Sequence, residues 1–158
     1  LFVIEVQEPT DLVVRLEFER GGFVLPEAAR FMGRDVDFAL DLLDLEQHST
    51  EEVNARARCR PHDRTMLGEC SWREQLIGRE QTPCFELVRL HLEERTTITP
   101  SGFGIFILTS GSCRVLTAAG KLHAGAFDKL IIPAALGPFT FEPESPTEIV
   151  ACHPPKPL

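Results

Sequence analysis

Ile107-Leu-Thr-Ser-Gly-Ser-Cys-Arg-Val115, then Gly120-Lys-Leu-His-Ala-Gly125, then Leu130-Ile-Ile-Pro-Ala-Ala135, is the stretch that decides the fold. Short apolar runs alternate with glycine and proline punctuation, the mark of strands joined by tight turns. The same rhythm holds on either side. Cys84–Leu92, Phe103–Leu108, Cys113–Thr117, Asp128–Ile132, Pro138–Phe141 and Thr147–Cys152 read as strands. Thr109-Ser-Gly-Ser112, Ala119-Gly-Lys121, Leu136-Gly-Pro138 and Pro143-Glu-Ser-Pro146 carry turn chemistry between them. Several short strands at regular spacing, with no long helices between, predict an antiparallel sandwich or barrel and argue against a βαβ fold.

Upstream the period changes. Pro26 opens a short helix that Gly33 closes, Asp35 caps a second, and Ser49-Thr-Glu-Glu52 forms a capping box for a third running to about Arg58. This block predicts a helical cover. Leu1–Gln7 and Asp11–Phe18 read as two strands across Glu8-Pro9-Thr10, ended by Gly21-Gly22. Paired as a hairpin, they place Glu5, Gln7, Asp11 and Arg15 on one surface, because side chains switch sides at every residue of a strand. Read from spacing alone, Asp11 and Arg15 are a surface ion pair.

The bulk properties fit this picture. At 158 residues the chain suits one ordinary domain or one domain plus part of another. A net charge of −8 repels phosphate backbones, so nucleic acid is not an expected partner. No apolar run approaches the roughly 20 residues of a membrane span, so no membrane association is expected. The cysteines at 59, 70, 84, 113 and 152 contain no C-x-x-C pair and read as reduced, small apolar side chains, which favours the cytoplasm. The five histidines are scattered and read as surface or capping residues, with His62-Asp63 in a polar loop the least ordinary. Signatures of common hydrolases, kinases and zinc proteases are absent.

The strand, Gly turn, strand and "G…PA" series resembles a cupin, a small jelly-roll barrel. Metal-binding cupins place two histidines and a carboxylate on one strand and a further histidine after a "PxG" turn. Here His91-Leu-Glu93 lacks the second histidine and no histidine directly follows the Pro133–Gly137 turn, so the barrel is expected to be metal-free. The segment Ile4-Glu-Val-Gln-Glu-Pro-Thr-Asp-Leu-Val-Val-Arg15 is similar to the E-x-Q-x-x-S-D-x-x-x-R stretch of type I phosphomannose isomerases, which join two cupin-like barrels through a helical section. Thr10 stands where the family has serine, and Leu12-Val13-Val14 replaces a Thr-Thr-Tyr-like run.

The resemblance implies a mainly β chain: a hairpin over residues 1–20 from the end of a first barrel, a helical segment over 21–64, and a metal-free jelly roll over 65–158. It implies a fragment of a sugar-phosphate isomerase that interconverts mannose 6-phosphate and fructose 6-phosphate through an enediol, with zinc bound upstream in the parent protein and none in this chain. Arg15 is then the catalytic candidate, since a planar guanidinium suits an enediolate or a phosphate. Asp11 would orient it or shape the turn. Glu5 and Gln7 would line the pocket or support the metal's ligands. The fragment alone is expected to be inactive. The competing expectation is a non-catalytic cupin module for sugar binding or assembly. A hairpin cut from its barrel needs partners, so it is expected either to join a sheet of the C-terminal barrel or to pair with a second copy in a homodimer.

Overall fold

The computed structural model describes residues 2–7 and 13–155. The chain divides into two compact units, Leu1–Arg58 and Cys59–Leu158.

In the first unit an N-terminal hairpin is present, but its ladder is displaced from the expected one. β1 (Glu19–Arg20) pairs with β2 (Phe23–Val24) in a two-stranded antiparallel sheet. Gly21 and Gly22, at φ 59° and 84°, form the two-residue turn itself rather than ending a strand. Both positions need positive φ, which glycine adopts without strain. Residues 2–7 and 13–17 carry no ladder, and the expected turn at 8–10, with the first two residues of the expected second strand, lies outside the described residues. The segment is held instead by Arg30. Its carbonyl accepts from the Arg15 amide at 2.8 Å, its guanidinium donates to the Leu16 carbonyl at 2.9 Å and also covers the Phe31 ring.

The helices follow their local signals. They are α1 (Glu27–Arg30), α2 (Val36–Asp41) and α3 (Thr50–Ala57). Asp35 accepts from the Phe38 amide at 2.9 Å. The Ser49 hydroxyl accepts from the Glu52 amide, and the Glu52 carboxylate accepts from the Ser49 amide at 2.7 Å, so two orphan donors are satisfied at once. Those bonds hold the Glu52 carboxyl below its ordinary range. No helix is long and apolar enough to cross a membrane among the described residues.

The second unit is a two-sheet antiparallel jelly roll. Its strands are β3 (His62–Met66), β4 (Trp72–Ile77), β5 (Glu86–Leu92), β6 (Thr96–Ile98), β7 (Gly104–Ser110), β8 (Ser112–Thr117), β9 (Gly120–Gly125), β10 (Lys129–Ile132), β11 (Phe139–Pro143) and β12 (Thr147–His153). One sheet has the order β10-β7-β12-β5-β4-β3 and the other β6-β11-β8-β9. Alternation fills the space between them. Val88, Leu90 and Leu92 from β5, Phe106 and Leu108 from β7, and Ile149 and Ala151 from β12 meet Cys113, Val115, Phe139 and Phe141 from the other sheet. Phe106, Phe139 and Phe141 pack with ring centroids 5.3–5.8 Å apart. The six strands read from sequence are all present. β3, β4, β6 and β9 were not among them, and β3 begins ahead of residue 65, where the barrel was expected to start. β9 took the place of part of an expected turn, because four of its six residues are exposed and it shows no apolar run.

Candidate functional site

Two places in the second unit gather chemistry-bearing side chains. The first is the open end of the barrel, where β5, β7 and β12 begin or finish. Inward positions of β12 run Thr147, Ile149, Ala151, His153, so the last of them brings an imidazole to the rim. Register pairs His153 with Glu86 on β5, and Arg73 on β4 lies 4.0 Å from the Glu86 carboxylate. The Phe106 ring meets the imidazole edge-on at 5.7 Å. A Cβ at Gly104 would sit 3.0 Å from His153 Nδ1, so glycine there leaves the ring its space. Burial depresses the His153 pKa, reinforced by the Arg73 charge and opposed by Glu86 and a hydrogen bond to the Phe103 backbone. The imidazole is therefore neutral at pH 7.

Two cavities share His153. The inner one, about 250 Å³, has an apolar floor of Val88, Leu90, Ile98 and Phe106 beneath Arg73. The outer one, about 360 Å³, is lined by Arg79, Glu86, Ser101, Phe103 and Pro154. That volume lies at the lower end of small-molecule sites.

The second cluster covers the outer face of the larger sheet. Glu74 is 4% exposed and accepts from both Arg64 and Arg89. Burial works against its charge, yet those bonds and charges hold its carboxyl below the ordinary range. Arg64 lies 4.0 Å above the Trp72 ring, and His91 stacks on the same indole at 5.1 Å. His91 Nδ1 meets Glu148 at 2.5 Å and Nε2 meets Glu93 at 2.9 Å. Those two bonds raise its pKa. Each charged member pairs with another in the group, although Arg89 Nε and Glu148 Oε2 are buried without a partner among the described residues, and the pattern is that of a structural network.

Among the described residues, the side chains that come within reach of one metal ion lie in the first unit and not at the barrel end. In the barrel end, His153 and Glu86 have no third ligand beside them. His91 and Glu93 lie on the outer face of β5 and its continuation, with both imidazole nitrogens already bonded. Asp44, Glu46 and His48 of the first unit do come within reach of one ion. There, however, the Arg56 guanidinium lies 3.3 Å from His48 Nε2 and 3.5 Å from Asp44, and its charge already occupies the cation's role.

Of the residues implied by the resemblance, Glu5 and Gln7 are together, the Gln7 amide donating to the Glu5 carboxylate at 2.5 Å. Arg15 is half-buried and is anchored through its backbone to Arg30. Asp11 lies outside the described residues. The barrel-end group of Arg79, Glu86, Ser101 and His153 was not anticipated. Its only signal in the sequence is the inward phase of β12, which continues past Ala151 to a polar residue.

No family profile matches the sequence, and no curated protein matches it. Solved structures do match by shape. EutQ from Clostridium difficile has a TM-score of 0.53 at 16% identity, covering 61% of this chain and 79% of that one. Ectoine synthase from P. lautus has a TM-score of 0.51 at 11% identity, covering 70% and 78%. Mannose 6-phosphate isomerase from Bacillus subtilis has a TM-score of 0.56 at 12% identity, covering 85% of this chain and 37% of that one. At such identities the likeness establishes the fold alone: the second unit is a cupin-like jelly roll, a fold that carries many functions.

Proposed function

We propose that this chain is the C-terminal portion of a sugar-phosphate aldose–ketose isomerase of the mannose 6-phosphate isomerase kind. The observation that carries the reading is extent. The match to the Bacillus subtilis isomerase takes in 85% of the chain, against 61% for EutQ and 70% for ectoine synthase, so of these three it extends furthest beyond residues 59–158. The likeness therefore takes in part of the N-terminal unit, and the E-x-Q…R segment is a separate, sequence-level resemblance that supports the same reading.

In this reading the zinc and the reacting carbons belong to residues upstream, and the second unit is a barrel without a metal centre. Arg15 contributes a fixed cation, which neutralises charge on an enediolate or a phosphate. Glu5 and Gln7, joined by their hydrogen bond, present a second polar group of the same segment. The test is a coupled assay that follows fructose 6-phosphate from mannose 6-phosphate, run on the complete gene product with zinc and on residues 1–158 alone. Turnover in the first and none in the second is expected. No turnover of any hexose 6-phosphate by the complete product would refute the reading.

A further inference from the structure

The outer cavity at the barrel end has a charge balance that specifies its occupant. Arg73, which lines the neighbouring inner cavity, lies 4.0 Å from the Glu86 carboxylate and offsets its charge. The His153 imidazole is neutral beside them. Arg79 lines the same cavity, is exposed, and makes no ion pair among the described residues. Arg79 and Glu86 of the outer cavity together with Arg73 of the inner one thus leave the barrel end with one positive charge in excess. Glu86 retains acceptor capacity that only a hydroxyl or amine can use, and the Ser101 hydroxyl serves as either donor or acceptor. Phe103 is 49% exposed and, with Pro154 and Pro155, offers flat apolar surface to the C–H face of a ring.

We propose that this cavity is a binding site for a small hydroxylated anion, about the size of a hexose with one carboxylate or one phosphate. Arg79 takes the acidic group as a charge-assisted pair. Glu86 and Ser101 take hydroxyls, His153 donates or accepts at the base, and Phe103 closes one side. Such a ligand fits a cavity of about 360 Å³. Binding needs no metal and no residue upstream of the chain, so this inference stands or falls apart from the isomerase reading.

The experiment is titration calorimetry with amide and imidazole NMR on residues 1–158, using gluconate, glucose 6-phosphate, glucose and inorganic phosphate. Gluconate, glucose 6-phosphate or both should bind more tightly than glucose and phosphate, and the stronger of the two identifies the acidic group. Resonances of Phe103 and His153 should move with saturation. Arg79→Gln should weaken the preferred anion at least about tenfold, the loss of one charge-assisted hydrogen bond. Lys121→Gln, on the far β9 strand, should leave the affinity unchanged. Absence of binding by every compound, equal affinity for glucose and the anions, or equal weakening by both substitutions would overturn the proposal. Isomerase activity enters none of these readouts.

Discussion

Glu74→Gln tests whether the outer-face network is held by charge. Glu74 is buried and joins Arg64 on β3 to Arg89 on β5, so one carboxylate ties three strands. Removing one partner of a fully buried pair costs about 3–5 kcal/mol. Here the freed guanidiniums stay partly solvated, with the Arg64 and Arg89 side chains 54% and 39% exposed, which discounts the cost to roughly 1.5–3 kcal/mol. Glutamine keeps the volume and one acceptor oxygen, so the loss reports the charge. With an m-value near 2 kcal/mol/M, the urea midpoint should fall by about 1 M. The cycle with Arg64→Ala should show a coupling of about 1 kcal/mol. The folded carboxyl has a lowered pKa, so the stabilisation is complete above about pH 4.3 and is lost as pH falls through the folded value. The difference between wild type and variant should therefore shrink in acid. A loss under about 0.5 kcal/mol at pH 7, or strict additivity with Arg64→Ala, would refute the reasoning.

Other substitutions test other layers. Phe141→Ala empties the centre of the barrel, where the ring is fully buried against Phe106 and Phe139, and should cost about 3–5 kcal/mol in denaturant unfolding. Ser49→Ala removes the capping box and should cost about 0.5–2 kcal/mol in the first unit, read as lost helical circular dichroism at lower temperature. The two best-placed histidines should titrate in opposite directions from about 6.5 by NMR. His91 is raised, so its contribution is complete below that value and is lost as pH rises through the folded pKa. His153 is lowered, so its contribution is complete above that value and is lost as pH falls through the folded pKa. His91→Gln should flatten the thermal stability profile on the alkaline side of that value, and an unchanged profile would remove His91 from the network's energetics.

What the sequence made legible was local or periodic. The Asp35 and Ser49 caps act over three residues, so the helices could be read from them directly. β5, β7 and β12 alternate buried apolar residues with half-exposed ones, and that phase is visible without a partner strand. β4 hid because Trp72 and Glu74 share its outer face, where a buried carboxylate reads as solvent-facing. β9 hid because it is an edge strand with little to bury. The N-terminal hairpin was legible as a hairpin but not in position, since two adjacent glycines suit a turn as well as a stop. The barrel-end group was illegible for a different reason. Arg79, Ser101 and His153 are far apart along the chain, and the pairing of β12 with both β5 and β7 brings them to one rim.

The isomerase reading rests on the N-terminal segment, so Arg15 is where it is tested most directly. Arg15→Ala in the complete gene product, compared with wild type in the coupled mannose 6-phosphate assay with zinc, gives the decisive number. The reading predicts a fall in kcat/KM of about 100-fold or more, the scale for losing one preorganised charge at a developing oxyanion, with far-ultraviolet circular dichroism and the unfolding midpoint preserved. An unchanged kcat/KM in a folded variant would contradict it.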